Sequence, residues 1–360
     1  MATLYDKIKI GNLELTNRII MSPMTRSRAS DEGVQPDYAA KYYAQRSSGG
    51  LIITEATNIS PMAKGYVRTS GIYTAEQIAS WSRVSDAVHA RGGRIFMQLF
   101  HTGRIALPDF LPGNTQPVAP SAVKANGQNY TDDGMKEFVE PRELTKAEIK
   151  QTIVDFATAA KNAIQAGFDG VELHGANGYL VHQFLGTNTN LRTDEYGGTN
   201  ANRAKFLFEV VEAVSDAIGS EKLGVKLSPT VPFNDMQDAN AAEFYPYLVS
   251  ELNKRNLAYL HIGFEETPTM EIDWNAKLRP LFDGVYLVNG GYTRVSGEMA
   301  LASNRADAIV YGKLFLSNPD LPDRFKRNTE LNAWDGSTFY SNTGEKGYTD
   351  YPTLEQGASA

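Results

Sequence analysis

Short apolar runs rich in β-branched residues recur along the chain, and a longer amphipathic stretch follows most of them. The runs are Arg18-Ile-Ile-Met21, Leu51-Ile-Ile-Thr54, Ile95-Phe-Met-Gln-Leu-Phe100, Gly170-Val-Glu-Leu173, Gly224-Val-Lys-Leu227, Ala258-Tyr-Leu-His-Ile262, Gly284-Val-Tyr-Leu-Val288 and Ala308-Ile-Val-Tyr311. Runs of this length and composition read as buried strands. Apolar residues recur with helical period over 75–91, 146–166, 202–218, 241–255 and 295–303. Strands alternating with helices predict a parallel sheet, and eight such units predict a closed (β/α)8 TIM barrel in the α/β class, with a doubly wound sheet as the rival. Thr145 followed by Glu148 has the capping-box spacing for a helix start, and Gly92, Gly93 and Gly167 fall where helices should stop. Leu13-Glu-Leu15 reads as part of an N-terminal hairpin closing one end of the barrel.

Two segments depart from a minimal barrel. Residues 102–144, between the third strand and its helix, are long and rich in Pro, Gly and Asn; an insertion there falls on the active face of a barrel and reads as a lid or substrate wall. Residues 328–360 read as an irregular C-terminal tail, and the whole of 1–360 as one domain, since no repeat, linker or low-complexity segment divides it.

Composition narrows the chemistry. A net charge of −7 argues against a nucleic-acid or anionic-membrane partner. There are no cysteines, which excludes disulfides, thiol catalysis and cysteine-ligated iron–sulfur clusters. The five histidines, His89, His101, His174, His182 and His261, show no zinc-site spacing, so no metal site is expected. With no signal-peptide core at Met1–Lys7 and no run of the ~18 apolar residues that a bilayer requires, the expected location is the cytoplasm.

Residues just past the strand ends face the chemistry in a barrel. The fourth strand runs into His174, Asn177 and Tyr179. If the chain turned helically there, the imidazole and amide would point the same way and offer two donors to one oxygen, beside a phenol able to give a proton. A loop histidine beside a packed tyrosine fits the same pattern. Asn289-Gly290-Gly291 and Gly312-Lys313 end the seventh and eighth strands, where glycines let a backbone approach a phosphate. Lys226, in an apolar strand, needs a partner; Glu172, an anionic cofactor and a Schiff-base carbonyl all qualify.

Nine motifs, in order, resemble the Old Yellow Enzyme family of FMN-dependent ene-reductases essentially end to end. They are Asn17–Arg26, Tyr42-Tyr-Ala-Gln-Arg46, Gly50-Leu-Ile-Ile-Thr-Glu-Ala56, Met97–Arg104, His174–Tyr179, Asn190-Leu-Arg-Thr-Asp-Glu-Tyr-Gly-Gly198, Leu227-Ser-Pro229, Asn318-Pro-Asp-Leu-Pro322 and Gly347-Tyr-Thr-Asp-Tyr-Pro352. The resemblance implies bound FMN at the barrel mouth and NADPH as reductant. Thr25 would bond flavin O4, Pro23, Met24 and Ala56 would line the ring, and Gln98 would bond its pyrimidine edge. Lys226 would lie near N1 and O2, with Asn289, Gly290, Gly291, Gly312 and Lys313 around the phosphate. His174 and Asn177 would grip the carbonyl or nitro oxygen of an electron-poor alkene, such as an enone, maleimide or nitroalkene. Hydride would come from flavin N5 and a proton from Tyr179, in a ping-pong cycle in which NADPH and substrate share one site. Tyr66, Phe100, Phe264 and Tyr348 would shape the substrate pocket. Lys226 and Lys313 stand where the family usually has arginine, so charge is kept but the bidentate fork is lost. A monomer or homodimer is expected. Other readings are a different flavin-dependent reductase or dehydrogenase, a non-catalytic flavin sensor, and a metal-dependent barrel hydrolase.

Overall fold

The computed structural model describes residues 2–263 and 272–357. Eight strands form the barrel: Ile19–Met21, Leu51–Ile53, Ile95–Phe100, Gly170–Gly175, Leu223–Leu227, Tyr259–Gly263, Tyr286–Asn289 and Ala308–Tyr311. Each pairs in parallel with its neighbours in chain order. The eighth pairs with the first through Val310↔Ile20, and the third with the fourth through Gln98↔Glu172, so the ring closes. Closure excludes the doubly wound sheet.

Side-chain alternation along each strand builds two cores. Ile19 and Met21 face out, with Met97, Leu99, Val171, Leu173, Val225 and Leu227, and pack under the helices. Ile20 faces in, with Leu51, Ile53, Phe96, Tyr259, Leu287, Ala308 and Val310. The antiparallel hairpin Ile8–Ile10 and Leu13–Leu15 adds buried Ile10 and Leu15 to this inner set and so plugs the floor. Each fully buried aliphatic side chain contributes about 1.5–3 kcal/mol.

The helices begin and end where their boundary residues demand. Thr145 Oγ1 accepts from Glu148 N (3.2 Å) while Glu148 Oε2 accepts from Thr145 N (2.8 Å), the reciprocal box expected before Lys146–Gln165. Gly167, at φ +88°, turns the chain from that helix into the fourth strand. Helices absent from the sequence reading include Tyr38–Ala44, Leu180–Leu185, Lys313–Ser317 and Leu321–Arg327. Each is 5–7 residues long, too short for periodicity to register. The 102–144 insertion is more ordered than a loop. It contains an antiparallel hairpin, Gln128–Thr131 with Gly134–Glu137, and a short parallel pairing of Val118–Ala119 with Arg142–Glu143.

The tail is irregular apart from a single turn at Gly336–Thr338 and a short helix at Leu354–Gly357, yet it is pinned. Arg26 donates to Phe339 O and Gly347 O, and Arg28 to Thr338 O, Gly344 O and Lys346 O. Among the described residues, no helix is long and apolar enough to cross a membrane.

Candidate active site

At the end of the fourth strand, His174 is the last inward-facing side chain before the chain turns. Its ring lies nearly parallel to Phe100 (centroids 6.2 Å) and edge-on to Tyr179 (4.9 Å), while Phe100 meets Tyr179 edge-on at 5.3 Å. Burial, reinforced by the Lys226 charge, holds the His174 imidazole well below the usual histidine range. The ring is therefore neutral, and its Nδ1 has no hydrogen-bond partner among the described residues. The turn that follows is not helical. Asn177 sits at φ +55° and Gly178 at φ +75°, and the helix starts only at Leu180. Helical spacing therefore does not relate His174 to Asn177; Asn177 reaches the cavity wall from a left-handed turn.

The Tyr179 hydroxyl bonds that of Tyr66 at 3.0 Å. Burial pushes the Tyr179 phenol up to about 12, while the Tyr66 hydroxyl and the Asn234 amide pull it back. It therefore carries its proton across the physiological range and has a neighbour positioned to donate to the phenolate.

Beneath the site the barrel interior is polar for one layer. Glu172, with no exposed surface, accepts from Gln98 Nε2 at 2.7 Å and from His261 Nδ1 at 2.9 Å. Gln98 must turn its amide nitrogen to an ionised Glu172, which can only accept, and this fixes the flip of the amide. Lys226 lies across from this carboxylate and is attracted by it, though among the described residues its ammonium makes no hydrogen bond. The expected Glu172–Lys226 partnership is thus electrostatic rather than a contact ion pair.

Lys226 also lines a cavity of about 970 Å³ at the barrel mouth, together with Asn177, Asn289, Gly290, Gly291, Gly312 and Lys313. A Cβ on Gly291 would meet only open space, and one on Gly312 would approach nothing closer than Met24 Sδ at 3.7 Å. The backbone there is bare toward the cavity. Two cations and two glycine turns around one space suit an elongated anion with a phosphate at one end, and a buried ammonium with unused donors calls for an acceptor.

The whole chain resembles known proteins closely. The family model described as "NADH:flavin oxidoreductase / NADH oxidase family" matches residues 3–332. 12-Oxophytodienoate reductase 1 of Oryza sativa subsp. japonica is 44% identical, over 98% of this chain and 93% of its own length. 12-Oxophytodienoate reductase 2 of Arabidopsis thaliana is 41% identical, over 99% and 96%. Among solved structures, morphinone reductase superposes with a TM-score of 0.94 at 43% identity, covering 99% of this chain and 97% of that one. The old yellow enzyme homologue of Zymomonas mobilis superposes with a TM-score of 0.94 at 39% identity, over 98% and 100%. The chain belongs to the Old Yellow Enzyme family. As such it is an FMN- and NAD(P)H-dependent oxidoreductase that reduces activated alkenes.

This Old Yellow Enzyme departs from the sequence reading at one of the four pocket residues. Tyr348 has no exposed surface and does not reach the cavity: it stacks on Tyr42 at 4.0 Å, with the Arg26 and Arg28 guanidiniums against its ring. The tail that carries it anchors to the barrel through those arginines, and the aromatic ring is part of the anchor. Phe264 lies outside the described residues. Tyr66 and Phe100 do gather around Tyr179. Pro23, Met24 and Thr25 are half-buried at the end of the first strand, and Ala56 is buried after the second.

Other residues at the Old Yellow Enzyme site escaped sequence reasoning. Thr230, Trp274, Tyr292 and Trp334 line the cavity; Trp274 Nε1 donates to Thr230 Oγ1 at 3.0 Å, and Lys313 Nζ lies 5.0 Å from the Trp334 ring centroid. Tyr292 directly follows the Asn289-Gly-Gly run and was findable by position. Trp334 arrives from the part of the tail that precedes the Gly347–Pro352 motif and carries no pattern of its own.

Proposed function

We propose that His174 and Asn177 bind the activating oxygen of the alkene and that Tyr179 protonates its α-carbon. The arrangement of a neutral imidazole edge-on to a protonated phenol, with Asn177 on the cavity wall, carries this reading. Two neutral donors on one oxygen draw electron density from the β-carbon. Tyr179, held in its acid form by burial, gives its proton to the opposite carbon, and Tyr66 and Asn234 hydrogen-bond the phenolate that remains. FMN, when bound, supplies the hydride and is re-reduced by NAD(P)H. Lys226 and Gln98 would hold the pyrimidine edge. Lys313, Gly290, Gly291 and Gly312 would hold the phosphate, with Asn289 beside them. Pro23, Met24, Thr25 and Ala56 would line the ring. Phe100 and Tyr66 would wall the substrate space.

Enones, maleimides and nitroalkenes are the proposed substrates, and the relatives named for reduction of oxophytodienoate and morphinone are consistent with conjugated ketones. We take the whole chain to act as one domain, in the cytoplasm, as a monomer or homodimer.

The deciding experiment separates the half-reactions by stopped flow. Tyr179→Phe should slow enone reduction by roughly 10²-fold or more while NADPH oxidation stays within about twofold. Equal loss in both would remove Tyr179 from the acid role.

A further inference from the structure

Asn177 and Gly178 form two consecutive left-handed residues, and side chains from elsewhere take all four of their backbone polar groups. Asn177 N donates to Ser228 Oγ at 2.8 Å, and Asn177 O accepts from Asn234 Nδ2 at 2.8 Å. Gly178 N donates to His182 Nδ1 at 3.0 Å, and Gly178 O accepts from Gln183 Nε2 at 2.7 Å. A Cβ at Gly178 would stand 2.8 Å from Phe233 O, so the opposite wall also closes on the turn. A turn in this region of conformational space is not self-sustaining for a residue with a side chain; these contacts hold it.

The His182 contact runs deeper than the others. Because Gly178 N–H can only donate, His182 Nδ1 must accept, which places the imidazole proton on Nε2. That Nε2–H faces Tyr245 Oη at 3.0 Å, and Tyr245 in turn donates to Asp238 Oδ2 at 3.0 Å. The series runs in one direction, from turn to carboxylate; Ser228 O, at 3.5 Å from Tyr245 Oη, is a second and longer acceptor at its far end. His182 and Tyr245 are fully buried, so no water substitutes for either. His182 is not among the residues that line the cavity, and its ring hydrogen-bonds neither His174 nor Tyr179 among the described residues.

We infer that His182, with Tyr245 and Asp238 behind it, is a positioning residue for the substrate-oxygen pair, acting through Gly178 N–H to fix the direction in which Asn177 and Tyr179 project. The inference rests on the reading of Asn177 given above. A displacement of about 1 Å in such a pair costs up to roughly 10²-fold in rate, so an acceptor seven residues past the strand end controls a group it never touches.

The test uses FMN-loaded enzyme and 4-chlorophenol, whose phenolate oxygen imitates the enolate oxygen, with binding read from the flavin absorbance. His182→Leu removes the acceptor, and His182→Asn restores one, since the Asn Oδ1 stands on Cγ where Nδ1 stands in histidine. We expect His182→Leu to weaken phenol binding roughly tenfold and to lower kcat for an enone, with FMN content unchanged, and His182→Asn to recover both to within about threefold. Folded, FMN-loaded His182→Leu with wild-type phenol affinity overturns the inference, as does equal impairment of the Leu and Asn variants. If His182→Leu does not fold, Tyr245→Phe releases the ring at its far side and should weaken phenol binding in the same direction; unchanged affinity there overturns it equally. Asn177→Ala separates the two claims. If it leaves phenol binding intact, the reading of Asn177 fails; if it weakens binding while His182→Leu does not, only the positioning role fails.

Discussion

Gln98, Glu172, Lys226 and His261 share the middle of the barrel with almost no solvent contact, and Glu172 accepts from two of them. Burial alone would neutralise that carboxyl. The His261 and Lys226 neighbours and the Gln98 amide outweigh it and hold Glu172 below the usual range. Glu172→Gln should therefore lower stability by about 1–3 kcal/mol, because one of the two donors now facing Glu172 loses its acceptor in a dry interior; a denaturant midpoint measures this, and an unchanged midpoint would mean that the layer repacks freely. The same arithmetic of charge bears on the site above. His174 is held neutral and Asn177 cannot ionise, so the affinity for an uncharged enone should stay flat from about pH 6 to 9. A rise in affinity toward acid would show that an imidazolium, not an imidazole, grips the oxygen.

Strand ends and turns decide where these side chains arrive. Gly224 lies in the fifth strand opposite Tyr259, and a Cβ there would stand 2.2 Å from the Tyr259 ring. That ring fills the floor beside Phe96 and has no exposed surface, so it cannot step aside. Gly224→Ala should cost about 1–3 kcal/mol through overpacking and lower the thermal midpoint, with the loss passed upward to Lys226 two residues on. At this scale the sequence was most legible. The eight apolar runs lie within a residue or two of the eight strands, and Thr145–Glu148 forms the box that its spacing predicts. What periodicity could not register were helices of 5–7 residues and the left-handed turn at Asn177–Gly178. The turn depends on nearby His182 and Gln183 and also on Ser228 and Asn234, which no local window contains.

Across the whole molecule, buried neutral histidines set the response to acid. Burial holds His101 at about 3 and depresses His174 and His261. The unfolded chain protonates these rings near 6.5 while the folded one does not, so between that value and the folded values the unfolded state binds more protons. Stability is then fully present above about pH 6.5 and falls as the pH drops, at up to about 1.4 kcal/mol per pH unit for each ring. Unfolding midpoints from pH 7.5 down to 4.5 should show this decline starting below about 6.5; a midpoint that stays level there would contradict the burial of these rings. The C-terminal tail belongs to the same scale. Buried Arg26 and Arg28 spend their donors on its carbonyls, and Trp334 joins the cavity wall. Tyr348 was assigned to the pocket from its motif, but the tail uses that ring to stack on Tyr42 beneath the arginines.

The order of strands, their inward and outward faces, and the residue types at their ends follow from period and composition, because each is set by neighbours within a few positions. The nine motifs carried the family and with it FMN and the alkene chemistry. Tertiary structure alone decided which polar groups meet. Glu172 reaches Gln98 across a paired strand and His261 across the barrel interior, Tyr66 meets Tyr179 across 113 positions, and the Asn177 turn is held by side chains up to 57 positions away. Hydrogen bonds of such separation are fixed by the packing of whole elements, and no local pattern in the chain encodes them.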